Sequence, residues 1–250
     1  MYERPGPRVA LMPSGGKRAT QSTWDAFVTS LKRYDPELRL PDMRSVLTNI
    51  RSTDDETIIW ANPDSDQSVY LLLDGVAFTF NHLVGGRRHI EDFFGPGSIC
   101  NWGRIDDPDF KPNLQIKRGA KVAVLDPSKF TSFLDEHAAL NTALKAAEDA
   151  RRKRLWQRIR TLIALPASHR VTIYLLDLIE EFFIPDASST WIPYYLTQEE
   201  MADLLGLTEV HVNRVLSRME KAGEIERKRG RFRLTDPARL RRQLHYEGSC

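Results

Sequence analysis

Seven side chains within one stretch of ten residues, Glu209, Val210, His211, Asn213, Arg214, Ser217 and Arg218, are of types that can read nucleic-acid bases. Arginine can hydrogen-bond guanine O6 and N7 bidentately, asparagine can do the same with adenine N6 and N7, and valine can pack on a thymine methyl. That chemistry needs a helix whose N-terminal half is free to enter a major groove. The spacing supplies one, because Val212, Val215, Leu216 and Met219 recur at threes and fours and leave the seven on the opposite face. Thr208 can N-cap this helix. Upstream, Thr197 and Glu200 have capping-box spacing, Met201, Leu204 and Leu205 form an apolar stripe, and Gly206 permits a tight turn. Residues 196–225 thus predict a helix-turn-helix, with Thr197, Gln198 and Thr208 at the helix starts counted among the DNA-contacting residues.

A basic hairpin should follow. Gly223 to Leu234 alternates apolar and charged residues around Arg229-Gly230, which predicts a short wing carrying Arg229 and Arg231 to the DNA. Residues 210–245 hold 11 Lys or Arg against 4 Asp or Glu, whereas the whole chain carries only +2. Clustered positive charge gains from counterion release on phosphate contact. The competing reading is an ordinary amphipathic hairpin with a solvated basic face.

These elements need a scaffold, and 250 residues allow two domains with their own cores. Hydrophobic residues make up 41% and charged residues 28%, as in soluble globular proteins, and no apolar run approaches the ~18 residues of a membrane span. The first residues, rich in Pro, Gly and Arg, contain no apolar core of a signal peptide. Two widely separated cysteines, Cys100 and Cys250, give no disulfide framework, and a reducing cytoplasm is the expectation.

The pattern predicts an α+β chain in four parts: a flexible segment 1–23, a β-roll or jelly-roll sensory domain 24–135, a dimerisation helix and hinge 136–166, and a winged helix-turn-helix domain 167–245. Residues 24–50 have helix-like spacing broken at Pro36 and Pro41. From 51 to 130 short β-type runs alternate with turn residues. The helix over 136–164 shows Leu140, Leu144, Ala147, Leu155, Ile159 and Leu162 at mixed threes and fours, interrupted by Arg151 to Arg154. It is too long for a small barrel to cover, so this stripe is read as a homodimer seam; the alternative is a helix lying on its own barrel. Ser168 is expected to cap a further helix over 171–183, and a short strand is read at Thr190-Trp-Ile192.

Barrel, long helix and winged helix in this order resemble the Crp/Fnr superfamily of bacterial transcription regulators over roughly residues 30–240. The segment LTQEEMADLLGLTEVHVNRVLSRMEKAGEI carries most of the resemblance, with weaker support from Ser68 to Gly75 and Phe94 to Ile99. The resemblance implies a homodimer on a palindromic double-stranded DNA site, Arg214 as the guanine-reading arginine, and RNA polymerase as a further partner. Val210 stands where well-known members carry a cytosine-reading glutamate, so Val210, His211 and Asn213 would set a different half-site. His211 could equally contact phosphate.

The expected signal is an unknown effector at the barrel, and no cofactor is named by the residues. The stretch from Gly97 to Gln115 lacks the Gly-Glu pair and the Arg-Ser or Arg-Thr dipeptide with which relatives hold cyclic nucleotides. Two cysteines are too few for an iron-sulfur cluster. Haem stays open through His82, His89, Cys100 and Met12 as ligand types, and Cys100 and Arg104 are the sensory candidates, Cys100 as a redox thiol and Arg104 toward an anion. No catalytic set is present, and no metal site is assigned. A different class, a cupin-like metal-binding enzyme, would have to use His82, His89 and Glu91, which lack a His-x-His core.

Overall fold

In the computed structural model the described residues are 21–53, 57–59, 68–101, 113–246 and 248. Seven strands form the first half: β1 (Leu47–Ser52), β2 (Thr57–Ile59), β3 (Val69–Asp74), β4 (Ala77–His82), β5 (Arg88–Phe94), β6 (Asn113–Ile116) and β7 (Lys121–Leu125). They pair antiparallel in two sheets, ordered β1-β7-β3 and β2-β6-β4-β5. Gly75 and Gly97 make the roll's close approaches: both have positive φ, and a Cβ would lie 2.6 Å from Ala120 at Gly75 and 2.7 Å from the Ala26 carbonyl at Gly97.

Residues 24–50 meet the expectation of short helices only in part. α1 (Asp25–Leu31), the end of a 3-10 turn at Gln21–Trp24 and another at Met43–Ser45 are helical, whereas Leu47 to Ser52 forms β1. β1 finds its partner in β7, from Ser52↔Lys121 to Leu47↔Leu125, far along the chain, and local spacing cannot reveal such a pairing.

The predicted helix over 136–164 is preceded by another. α2 (Pro127–Glu136) starts with Asp126 accepting from the Lys129 amide and Pro127 in its first turn. His137, with φ −124° and ψ 70°, then separates it from the 27-residue α3 (Ala138–Ala164). α4 (Ala167–Glu181) begins at Ala167, so Ser168 lies inside it rather than capping it, and its carbonyl accepts from Thr172 Oγ1.

α3 changes character along its length. Leu140, Ala143 and Leu144 are buried with Phe27, Leu31, Phe130 and Leu134, and Ala147 packs against the same cluster. The expectation that Leu140, Leu144 and Ala147 face a second copy is therefore corrected: α1 and α2, short and poorly signalled in sequence, cover that part of the stripe. Beyond Glu148 the polarity inverts. Arg154, Gln157, Arg158 and Thr161 are buried while Trp156, Ile159 and Ile163 are exposed.

Carboxylates explain the buried arginines. Arg151 and Arg154 reach the two oxygens of Glu181 at 2.7 and 2.9 Å, and Arg158 reaches Asp177 at 2.8 Å and Asp92 at 3.0 Å. Asp92 belongs to β5 and the other two acids to α4, so the ladder joins roll, long helix and C-terminal domain. An apolar core crosses the same junction, with Phe78, Phe80, Ile90 and Phe93 of the roll packed among Tyr174, Leu178, Leu204 and Leu205.

Candidate nucleic-acid interface

The C-terminal domain adds α5 (Gln198–Leu205), α6 (Glu209–Lys221) and α7 (Pro237–Gln243) to α4, with a three-stranded sheet ordered β8-β10-β9 from β8 (Ile192–Pro193), β9 (Ile225–Lys228) and β10 (Arg231–Leu234). The predicted short strand thus falls one to two residues later, at Ile192–Pro193, where β10 pairs with it. α7 carried no expectation from sequence.

Thr197 opens α5 with a reciprocal capping box: the Glu200 amide donates to Thr197 Oγ1 at 3.1 Å, and the Thr197 amide donates to Glu200 Oε2 at 2.7 Å. Gly206 closes it in the left-handed conformation, φ 63°, where a Cβ would meet no neighbour nearer than 3.8 Å. The glycine is thus needed for its backbone angle and not for space. Thr208 then accepts from the His211 amide at 3.2 Å and starts α6.

Val212, Val215, Leu216 and Met219 anchor α6 in the core of the domain. Its outer face is open: Glu209, Val210, His211, Asn213, Arg214 and Arg218 are all exposed, Val210 at 69% despite being apolar. Ser217 is half-buried and accepts from Arg227 Nη1 at 3.3 Å, which ties α6 to the hairpin. At the hairpin tip Arg229 (φ 47°) and Gly230 (φ 75°) both take left-handed angles, as a two-residue hairpin turn requires. Arg229 and Arg231 are exposed there. Phe232 and Leu234 hold the other face of β10 in the core, so the alternation read from sequence is the one observed.

Between hairpin, α5 and α6 runs a groove of about 750 Å³, lined by Thr197, Gln198, Asn213, Ser217 and the segment Arg227 to Arg231. Of the sequence-derived residues, Thr197, Gln198, Asn213, Ser217, Arg229 and Arg231 line this groove, while Thr208, Glu209, Val210, His211, Arg214 and Arg218 are exposed outside it. Tyr194, Tyr195 and Lys117 also line it, and none of them carried an expectation from sequence. Tyr194 and Tyr195 come from the connection before α5, where the Tyr174 hydroxyl donates to the Tyr194 carbonyl. Lys117 comes from the roll, and no local signal connects it with residues 80 positions later.

The sensory candidates fare differently. Cys100 is 2% exposed, and burial pushes its thiol well above the usual range, so it is a packed thiol rather than the thiolate that redox sensing uses. Arg104 and Met12 lie outside the described residues. His82 is exposed at the end of β4, His89 Nδ1 lies 3.0 Å from the Asp203 carbonyl, and Glu91 accepts from Asn81 at 2.6 Å. Among the described residues no three His, Cys, Asp or Glu side chains converge as a metal site. No helix among them is long and apolar enough to cross a membrane.

Glu148, Cys100, Phe94, Leu155, Ile159 and Leu162 line a second cavity of about 720 Å³ between β5 and α3. Burial raises the Glu148 carboxyl to about 7, with Asp92 and Glu181 adding to the rise and Arg151 opposing it. Glu181 lies on the other side of Arg151 and behaves oppositely. Burial would raise it, but Arg151, Arg154 and the Gly95 amide outweigh burial and take it down to about 2.

Residues 169–243 match the Crp-like helix-turn-helix domain. The nitrogen fixation regulation protein FixK of Bradyrhizobium diazoefficiens is 26% identical over 185 residues, covering 73% of this chain and 76% of that protein. FixK of Azorhizobium caulinodans is 27% identical over 74% of each chain. The solved structure of FixK2 from Bradyrhizobium japonicum superposes with a TM-score of 0.66 at 20% identity, covering 78% of this chain and 96% of that one.

Proposed function

We propose that this chain, a DNA-binding transcription regulator of the Crp/Fnr superfamily, works as a cytoplasmic homodimer on a palindromic double-stranded site, one recognition helix in each half-site. It would comprise a sensory roll (24–135), a connecting helix (136–166) and a DNA-reading domain (167–245). The observation that carries it is the outward face of α6, which leaves Val210, His211, Asn213 and Arg214 free beside a basic groove. Arg214 and Asn213 specify bases, Val210 meets an apolar base edge, and Arg218, Arg229 and Arg231 hold phosphates. Thr197, Gln198, Thr208, Glu209 and Ser217 border the same surface and position the backbone.

The outward face of the second half of α3 forms the dimer seam, with Leu155, Trp156, Ile159, Leu162 and Ile163 covered by a second copy. Trp156 is 60% and Ile163 82% exposed in the single chain. Such a run of large apolar residues on one helix face is what an association surface provides. Two-fold symmetry then sets the recognition helices about one helical turn apart. An effector at the roll would change this spacing, and RNA polymerase would be the partner at an activated promoter.

Mobility-shift selection from random duplexes tests the proposal. A palindrome bound by the parent and weakened by Arg214→Ala is the expected result. Enrichment of no palindromic site, or equal binding by the variant, overturns it.

A further inference from the structure

The groove beside α6 is not built by the C-terminal domain alone. Lys117 of the roll lines it together with Thr197, Gln198 and the hairpin segment Arg227 to Arg231. We propose that Lys117 is a DNA-phosphate contact, so that the surface receiving the duplex is assembled from both halves of the chain. This rests on the DNA-reading function proposed above.

Lys117 starts the β6–β7 turn, and its backbone is fastened on three sides. Its amide donates to the Val76 carbonyl at 2.9 Å, and its carbonyl accepts from Thr53 Oγ1 at 2.8 Å and from the Ala120 amide at 3.2 Å. The side chain therefore leaves a fixed point and reaches the start of α5, where its ammonium lies 2.6 Å from Glu200 Oε2. That oxygen also takes the Thr197 amide, so the cation sits within one carboxylate of the first residues of the helix-turn-helix. A lysine ammonium has three donors, and Glu200 takes one of them. The side chain lines the groove and stays 17% exposed. Arg118, next in the turn, is exposed and adds positive charge at the same edge.

Docking of the two halves holds this geometry. Arg88 binds Asp203 at 2.8 Å, and His89 meets the Asp203 carbonyl, so β5 grips α5 one turn beyond the Lys117 to Glu200 pair. A duplex resting on α5, α6 and the hairpin would bring a phosphate to the mouth of the groove, where Lys117 can bridge it to Glu200's helix. DNA would then be sensed by the roll directly, without transmission through the long helix.

The salt dependence of binding separates this role from simple neutralisation of Glu200. Log affinity of the parent for its selected duplex is measured against log salt, alongside K117Q, K117R, and K117Q combined with E200Q, which keeps a capping-competent side chain. Loss of a phosphate contact lowers the slope by about 0.9 for each one removed, once per protomer. The expected result is that decrease in K117Q in both backgrounds, equal on specific and unrelated duplexes, with K117R restoring the parent slope. In the unaltered protein, bound duplex should also shield the Lys117 amine from acylation. An unchanged slope, a change that disappears beside E200Q, or undiminished acylation overturns the proposal. If R214A weakens binding while K117Q leaves the slope intact, this inference fails and the DNA-reading function stands; a parent that binds no duplex brings down both.

Discussion

Arg158 and Asp177 meet at 2.8 Å with their side chains only 4% and 1% exposed, a charged pair closed off from water between the long helix and the first helix of the DNA-reading domain. Asp177 also accepts from the Tyr246 hydroxyl at 2.8 Å, and Arg158 also binds Asp92, so neither charge depends on a single partner. Breaking such a pair from one side strands a buried charge, which costs about 3–5 kcal/mol. Arg158→Met is expected to lose that much in urea unfolding. The double variant Arg158→Met with Asp177→Asn should recover a substantial part, because it removes the stranded charge as well.

Two carboxyls on either side of Arg151 make opposite contributions to stability as pH changes. Glu181 is held at about 2 against an ordinary 4.5, so the stability it lends is complete above 4.5 and is lost as pH falls toward 2. Glu148 is raised from 4.5 to about 7, so the folded chain holds its proton more tightly and stability declines as pH rises from 4.5 through 7. Glu148→Gln should remove the neutral-side decline, a gain of up to about 3 kcal/mol above pH 7, and leave the acid limb in place. Denaturant titrations at several pH values would show whether the two limbs separate in this way.

Position along α3 should decide what an acidic substitution does. Ile159 and Ile163 are exposed, so Ile159→Asp or Ile163→Asp should leave the fold intact and convert a dimer to a monomer in sedimentation. Leu144 is 3% exposed in the core of the roll, and Leu144→Asp should unfold that half instead. A dimer that survives both exposed substitutions would place the seam elsewhere.

Loss of the Arg214 side chain should cost DNA binding alone. The residue is exposed on α6, so Arg214→Ala is expected to keep the parent's melting temperature while losing about 1–3 kcal/mol per half-site, concentrated at one base position. Arg229→Ala should instead weaken all duplexes similarly, as removal of a phosphate contact does.

Cys100 should be silent. With its thiol buried and pushed upward, it is expected to react with a thiol reagent only after unfolding, and DNA binding should be the same before and after mild peroxide. Rapid labelling of the native chain at Cys100 would contradict this.

The DNA-reading elements were legible because their signals are local. A capping box spans four residues, the turn glycine needs only its own backbone angle, and the core positions of α6 repeat every three or four residues; 196–225 contains all of them. The wing was legible for the same reason, since its alternation and its Arg229-Gly230 turn lie within twelve residues. The strands of the roll were legible as short β-type runs between turn residues, except for β1, which is held by β7 across most of the domain. Along α3 periodicity identified an apolar stripe but not what covers it. Leu140 and Leu144 meet α1 and α2, whereas Ile159 and Ile163 stay exposed on the chain's surface, and this difference is a matter of where other elements pack. The arginines that interrupted the stripe could not be read as a buried ladder, because Asp92, Asp177 and Glu181 reach them from distant segments. Sequence alone determined the α6 helix and which residue types stand on its outer face; only the tertiary structure decided which charges are buried, which apolar residues stay open, and that a lysine of the roll stands in the groove, because all three depend on contacts between segments far apart in the chain.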